Sequence, residues 1–487
     1  MTNSHLFEQN LTKKLPPNDG LRKINDGDSP TLTLSNVDDL LIAEINKLSE
    51  TDEQFWTVPN RDPRDSGHAF FQYPAMMVPA VQRNLIHLVI EIQTGINYMV
   101  DPFVGAGTTL TSAMHNGLNC YGQDINPLGV LLSLTKTGPF NCEVLTEEVK
   151  DIKATVERDH SNEIAVDFPN RAKWFRQNVA VELSRLKRAI EQREDLMVRR
   201  FMWVTLAEVV RLTSNDRTST YKLHARPADE IAGRALSPIT TFFSLINQNL
   251  EDFKQFQKTL AQAGYLQDGR FTRDVQVFLG DTQSGVLRPT KVPQCLYDLL
   301  VSSPPYGDNT STIPYGQHAY LPLQWINLED IDPAANASFL RTTQEMDRRS
   351  LGGHLSRSLD EQIKTLREES GTLANVFQAL ADKPEDRSSR VAAFYQDFIE
   401  ALEHIVNSLA LNAYMIWTIG NRRVGGIEIP NHRILCELLE RRNVKFVTHI
   451  ERQILFKRMP HKNQIAKMMH KERILILRKT AHMREAR

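Results

Sequence analysis

Apolar positions along this chain recur at two spacings, and the switches between them divide it into blocks. Those of Pro79–Ile92 fall at helical spacing, which predicts a helix. The next apolar run, 97–103, is short and nearly continuous and reads as a buried strand. After it, 108–116 reads as a helix and Asn119–Asp124 as a second strand. Strand, turn, helix and strand in that order form the unit of a doubly wound parallel sheet. From about 141 to 270 the text becomes charged and mostly helical, with amphipathic segments at 179–190 and 201–212. Short apolar runs return at Val275–Leu279, Tyr297–Ser302, 413–419, 444–450 and 473–477, with helical patterns at 393–411 and 431–442 between them.

This pattern predicts an α/β fold whose single sheet takes strands from before residue 140 and after residue 275. Segments 61–140, 275–326 and 393–487 make the core, and two mostly helical blocks, 141–274 and 327–392, are inserted in its connections. The insertions are expected near the strand ends where ligands bind, which suits substrate recognition. Residues 1–60 are polar and broken by Pro16-Pro17 and Asn25-Asp26-Gly27-Asp28, so a poorly ordered arm is expected, with a short helix at 37–48.

Composition narrows the class. A chain of 487 residues exceeds one ordinary core, in keeping with a core plus insertions. No apolar run reaches the roughly 18–20 residues that cross a bilayer, and the first residues lack a charged-then-apolar leader, so a cytoplasmic chain without membrane contact is expected. The four cysteines, Cys120, Cys142, Cys295 and Cys436, show no paired spacing, and neither a disulfide frame nor a metal site is expected. The net charge of −1 hides an asymmetry: 171–234 carries 14 Lys and Arg against 8 Asp and Glu, and 451–487 carries 11 against 3. A polyanion-binding face has such a distribution.

Two motifs carry candidate chemistry. In Asp101-Pro102-Phe103-Val104-Gly105-Ala106-Gly107-Thr108-Thr109 a strand runs into a glycine turn and then a helix. Gly105 and Gly107 let the backbone turn sharply and approach a ligand closely, and Thr108 or Thr109 can cap the helix. The turn lacks the third glycine of a dinucleotide site and the lysine of a phosphate loop, which disfavours a pyrophosphate ligand. Asp124, followed by Asn126, stands at the tip of the second strand, where a carboxylate can hold ribose hydroxyls. Asp281 stands at the tip of the third, suited to an adenine amine. The second motif, Ser303-Pro304-Pro305-Tyr306, follows an apolar strand. A serine hydroxyl and the Pro304 carbonyl can both accept from an exocyclic base amine, Pro305 fixes the backbone, and Tyr306 offers an aromatic face to a base taken out of its stack.

Together these motifs resemble the S-adenosylmethionine-dependent amino-methyltransferases of DNA, and within them the N4-cytosine type of restriction–modification systems. In that family Phe-x-Gly-x-Gly binds the cofactor and Ser-Pro-Pro-Tyr is the catalytic tetrapeptide, whereas adenine-N6 enzymes usually carry Asp or Asn where Ser303 stands. The stretch from His68 to Pro79 looks like the family's cofactor-side motif and brings in Tyr73 and Pro74. The segments 306–309, 315–317, 214–220, 419–422 and 457–463 are similar to others of its motifs. The resemblance implies a Rossmann-like class I methyltransferase sheet, mostly parallel with one antiparallel edge strand. It further implies S-adenosylmethionine as cofactor, double-stranded DNA as substrate with base flipping, and a cognate restriction endonuclease as functional partner.

Too few residues separate Asp281 from Ser303 for a recognition domain there, so the two inserted blocks are expected to share target recognition. Arg217, Lys222 and Arg226, with Arg422, Arg423, Lys457, Arg458 and Lys462, are the candidates for DNA backbone contacts. C5-cytosine methylation is disfavoured, since no Pro-Cys pair precedes a strand and Cys295 sits in Pro293-Gln294-Cys295. N6-adenine methylation, RNA base methylation and a non-catalytic cofactor-binding regulator are the alternatives.

Overall fold

The computed structural model describes residues 34–289, 294, 296–355, 358–383, 387–454 and 471–481. Seven strands form the main sheet: β1 (Tyr98–Asp101), β2 (Asn119–Asp124), β3 (Val275–Leu279), β4 (Tyr297–Ser302), β5 (Leu409–Ile419), β6 (Val444–Gln453) and β7 (Lys471–Lys479). Their order across the sheet is β6-β7-β5-β4-β1-β2-β3. β1 to β5 pair in parallel, while β7 runs antiparallel to both β5 and β6, so the sheet is mostly parallel with an antiparallel edge region. This is the Rossmann-like architecture anticipated from the sequence.

The sheet is buried on both faces, and its strands show it residue by residue. Met99, Leu299, Val301, Tyr414, Ile416, Ile474 and Ile476 enter one apolar cluster. Val100, Leu300, Met415, Trp417, Leu475 and Leu477 enter the other. Alternate residues leave opposite faces of a strand, and only a sheet covered on both sides makes every position apolar.

The inserted blocks supply much of that cover. Helices Gln177–Glu191, Leu196–Thr213 and Pro238–Gln262 place Leu183, Phe201, Trp203 and Phe253 in the same cluster as Met99 and Leu110. Helices Leu359–Glu369 and Gly371–Ala381 place Leu366, Leu373 and Phe377 against the other face. Their amphipathic periodicity reflects this packing.

Two boundaries differ from the sequence reading. The helix expected at 393–411 spans Ser388–Ser408, and β5 begins at Leu409, four residues before the expected strand. Asn412 adopts φ 66°, and the β4–β5 register shifts between Tyr297 and Leu299, so this irregular start breaks the strand's alternation. The short helix expected at 37–48, at the end of the arm, spans Leu34–Thr51 and is docked, with Leu41 and Ile45 in the core. Its Asp38 is buried between Arg478 of β7, with Nη2 to Oδ2 at 2.6 Å, and the Tyr414 hydroxyl at 2.8 Å. No sequence period reveals a contact made across some 440 residues.

Between β1 and β4 the chain changes direction across the sheet: β2 and β3 follow on one side of β1, and β4 begins the other side. Loops leaving the carboxyl ends of β1 and β4 diverge there and open a crevice. Since Asp38 and Arg478 are each only 4% exposed, Asp38→Ala breaks a buried ion pair and removes the acceptor of the Tyr414 hydroxyl. We expect it to lower the unfolding free energy by about 3–5 kcal/mol, measured by denaturant titration.

Candidate active site

The loop after β1 is shaped by two left-handed glycines, Gly105 at φ 49° and Gly107 at φ 77°. A Cβ on Gly107 would come within 2.9 Å of Ser133 Oγ, so the backbone packs closely against helix Pro127–Lys136. That helix holds the turn: Ser133 Oγ donates to the Gly105 carbonyl at 3.0 Å and Lys136 Nζ to the Ala106 carbonyl at 2.8 Å. Burial pushes the Lys136 ammonium down to about 7.

The expected helix cap takes a different form. Gly107 is the N-cap of helix Thr108–His115, with no side chain capping it. Thr109 instead turns inward, its Oγ1 donating to Asp101 Oδ2 at 2.5 Å. The other Asp101 oxygen accepts from Ser302 Oγ at 2.6 Å and from the Phe103 amide at 3.0 Å. Asp101 is therefore a fully buried brace between the ends of β1 and β4. It does not line the cleft, and burial raises its pKa to about 6.

Asp124, at the tip of β2, accepts from the Gly105 amide at 2.8 Å and the Asn126 amide at 2.8 Å. Burial raises its pKa to about 6 as well. Asn126 caps the next helix through Leu128 N at 3.0 Å and donates to the Tyr73 hydroxyl at 3.1 Å. Tyr73 in turn lies 5.7 Å, ring to ring, from Tyr315. Beyond β3, Asp281 is held by the Gln283 amide at 3.0 Å, with its pKa raised by burial.

These groups converge. Tyr73, Pro74, Phe103, Gly105, Thr108, Asp124, Asn126 and Asp281 line one cleft of about 970 Å³, partly open to solvent, and Ser303 and Pro305 line it too. Gly107, Pro304 and Tyr306 do not reach its wall. Tyr306 packs on the second apolar cluster, its hydroxyl donating to Glu472 Oε1 at 3.0 Å and its carbonyl accepting from Asn431 Nδ2 at 2.9 Å. Burial first, then the Glu472 carboxylate, hold its phenol well above the usual range.

Sequence reasoning missed part of this wall. Met346, Ser350 and Leu351 come from the second inserted block, where no motif marks them. Asn431, which ties the Tyr306 and Gly420 carbonyls together, is equally silent in the sequence. Asn309 and Tyr315 had a signal, the text continuing past the tetrapeptide.

The cationic candidates divide. Arg217 and Lys222 are exposed on a turn closed by the Asp216–Ala225 bridge, and Arg423 is exposed near Glu428. Arg226 is partly covered and pairs with Glu230 at 3.4 Å. Arg422 does not fit a free backbone contact: its side chain is 8% exposed and engages Asp308 at 3.2 Å and Ser311 at 3.0 Å. Lys457, Arg458 and Lys462 lie outside the described residues.

A doubly wound sheet with this strand order carries, at its switch point, a glycine turn and an acid-bearing cleft, the place where such sheets bind nucleotide-like ligands. The chain is 27% identical over 440 residues to the type II methyltransferase M.MvaI of Kocuria varians, spanning 88% of this chain and 93% of that protein. It is 36% identical over 81 residues to the type II methyltransferase M.MjaII of Methanocaldococcus jannaschii, 17% of this chain and 12% of that protein. No family model matches the chain. The rRNA methyltransferase aviRa of Streptomyces viridochromogenes aligns over 87% of this chain and 94% of its own at 9% identity, with a TM-score of 0.35, too weak a likeness to carry weight. The near full-length similarity supports methyltransferase activity.

Among the described residues lining the cleft, Asp124 and Asp281 are carboxylates and none is Lys, Arg or His. Such a wall suits a cationic ligand and repels a phosphate. Because the ionised form of Asp124 is lost as pH falls through about 6, the affinity of this cleft for a cationic ligand, tested with S-adenosylmethionine, should weaken on acidification across that value. Calorimetry at a series of pH values checks this. Asp124→Asn should bind weakly throughout and with a shallower slope, since an amide group must face one N–H donor with its own.

Proposed function

We propose that this chain transfers a methyl group from S-adenosylmethionine to the N4 amine of cytosine in double-stranded DNA, on a base flipped out of the duplex. The observation that carries this reading is the shared cleft. Ser303 and Pro305 open on the same space as Gly105, Asp124 and Asp281, and that space is acidic and partly open to solvent. The similarity to a protein named as a type II methyltransferase supports DNA as substrate; a cognate restriction endonuclease as functional partner is part of the same proposal. The serine that opens the tetrapeptide supports cytosine over adenine.

When bound, S-adenosylmethionine supplies an electrophilic methyl group on a sulfonium. Asp124 would hold ribose hydroxyls, Asp281 the adenine amine, and the glycine turn the remainder, with Tyr73 and Pro74 on the facing wall. An exocyclic base amine is a poor nucleophile because its lone pair is delocalised into the ring. Ser303 Oγ accepting one of its hydrogens favours a pyramidal nitrogen with the lone pair available; the Pro304 carbonyl, which does not reach the cleft wall in this structure, would have to turn toward the base to accept the second. No covalent enzyme intermediate is needed, and rate comes from alignment and from acceptors placed around the developing positive charge. Arg217, Lys222 and Arg423 remain exposed for phosphate contacts.

The test is direct. The purified chain incubated with tritiated S-adenosylmethionine and mixed duplex DNA should yield N4-methylcytosine on nucleoside analysis. N6-methyladenine would overturn the cytosine assignment, and label appearing only in an RNA control would overturn the DNA assignment. Ser303→Ala should keep cofactor affinity and lose turnover by about tenfold or more, as expected for one lost hydrogen bond to a charged group. Loss of cofactor affinity in a folded Ser303→Ala protein would remove Ser303 from the catalytic role.

A further inference from the structure

We propose that Glu472 is a positioning residue that sets the direction of a hydrogen-bond chain ending at Ser303. This rests on the methyl-transfer reading above and concerns how the tetrapeptide is made ready for it.

Glu472 lies on β7, in the antiparallel part of the sheet, directly across from Arg452 of β6. The two form an ion pair at 2.6 Å with side chains 14% and 6% exposed, and Arg452 Nε also donates to the Trp56 carbonyl at 3.1 Å. The second Glu472 oxygen accepts from the Tyr306 hydroxyl at 3.0 Å, and that hydroxyl stands 3.5 Å from Ser303 Oγ.

The polarity of this chain follows from its end. A carboxylate paired with a guanidinium is ionised and can only accept. The Tyr306 proton is therefore committed to Glu472, and the phenol oxygen is left to accept. The Ser303 hydroxyl can then point its own hydrogen toward Tyr306, which frees both serine lone pairs for a substrate amine. Were Tyr306 to donate to Ser303 instead, one of those lone pairs would be occupied. The same contact fixes the tyrosine ring at its far end, while Asn431 holds its carbonyl. Tyr306, whose ring packs on the second apolar cluster away from the cleft wall, thereby acts through its hydroxyl.

The clean variant is Tyr306→Phe, which keeps the ring and leaves the Arg452–Glu472 pair intact. Glu472→Gln is its partner, since an amide can either accept or donate and so releases the chain's direction. Single-turnover methylation of duplex DNA should fall about tenfold in each, the range of one hydrogen bond, with the KM for DNA and the affinity for S-adenosylmethionine unchanged. The double variant should be no slower than either single one. Additive losses, or unchanged rates in Tyr306→Phe, overturn the proposal.

A second readout needs no DNA. In protein labelled with fluorotyrosine, the fluorine resonance that disappears in Tyr306→Phe should shift in Glu472→Gln; an unmoved resonance overturns the contact and with it the proposal. Failure of the unsubstituted protein to methylate DNA is a separate result, visible before any substitution, and counts against the proposed function itself.

Discussion

The carboxylate of Asp101 is where both halves of the site are fixed. It is fully buried and accepts three hydrogen bonds, from Thr109 at the start of the cofactor-turn helix, from the Phe103 amide, and from Ser302 at the end of β4. Its neighbours in the sheet are covered by apolar side chains on both faces, so an uncompensated carboxylate there would be costly. The consequence is geometric: the glycine turn cannot move relative to the serine of the tetrapeptide without breaking a bond to a buried acid. The switch point supplies the crevice, and Asp101 sets its width.

Around that brace the inserted blocks have two duties. Their apolar faces complete the core on both sides of the sheet, which the sequence pattern does not distinguish from the face of an independent domain. Trp203, buried in the first block, also donates to Asp330 at 2.7 Å, and Arg199 pairs with the same acid at 2.8 Å, so the first block is tied to the start of the second. On the proposed reading, recognition falls to the surface of these blocks. The basic turn carrying Arg217 and Lys222 rests on helix Tyr315–Leu323 through Tyr221 and His318, whose rings are 5.6 Å apart. Tyr315 of that helix lines the cleft, so one short helix joins the exposed cations to the cofactor wall.

Legibility in the sequence followed the range of the interactions. Parallel strands buried on both faces are short continuous apolar runs, so β1 to β4 could be placed almost to the residue. The glycine turn and the tetrapeptide are local and carry their chemistry in consecutive residues. Asp101, by contrast, reads as a ligand from its place in the motif, and only its partners Ser302 and Thr109 reveal a brace. Arg422 reads as a free cation until Asp308, more than a hundred residues away in sequence, is seen beside it. Met346, Asn431 and Glu472 had no signal at all, because each matters through a neighbour brought to it by the fold.

The distribution of charge decides how a polyanion and a cation can share one protein. Among the described residues the cleft holds carboxylates and no cationic side chain, and these carboxylates disfavour a phosphate there. Arg422, buried after β5, is paired with Asp308 at 3.2 Å, which balances its charge. If the proposed function holds, a nucleic acid backbone stays outside, against exposed groups such as Arg217, Lys222 and Arg423, while a neutral base enters. On the proposed reading this makes extrusion of the base a requirement of the electrostatics as much as of reach. A base still stacked in a duplex could meet Ser303 only by carrying its phosphates toward Asp124 and Asp281.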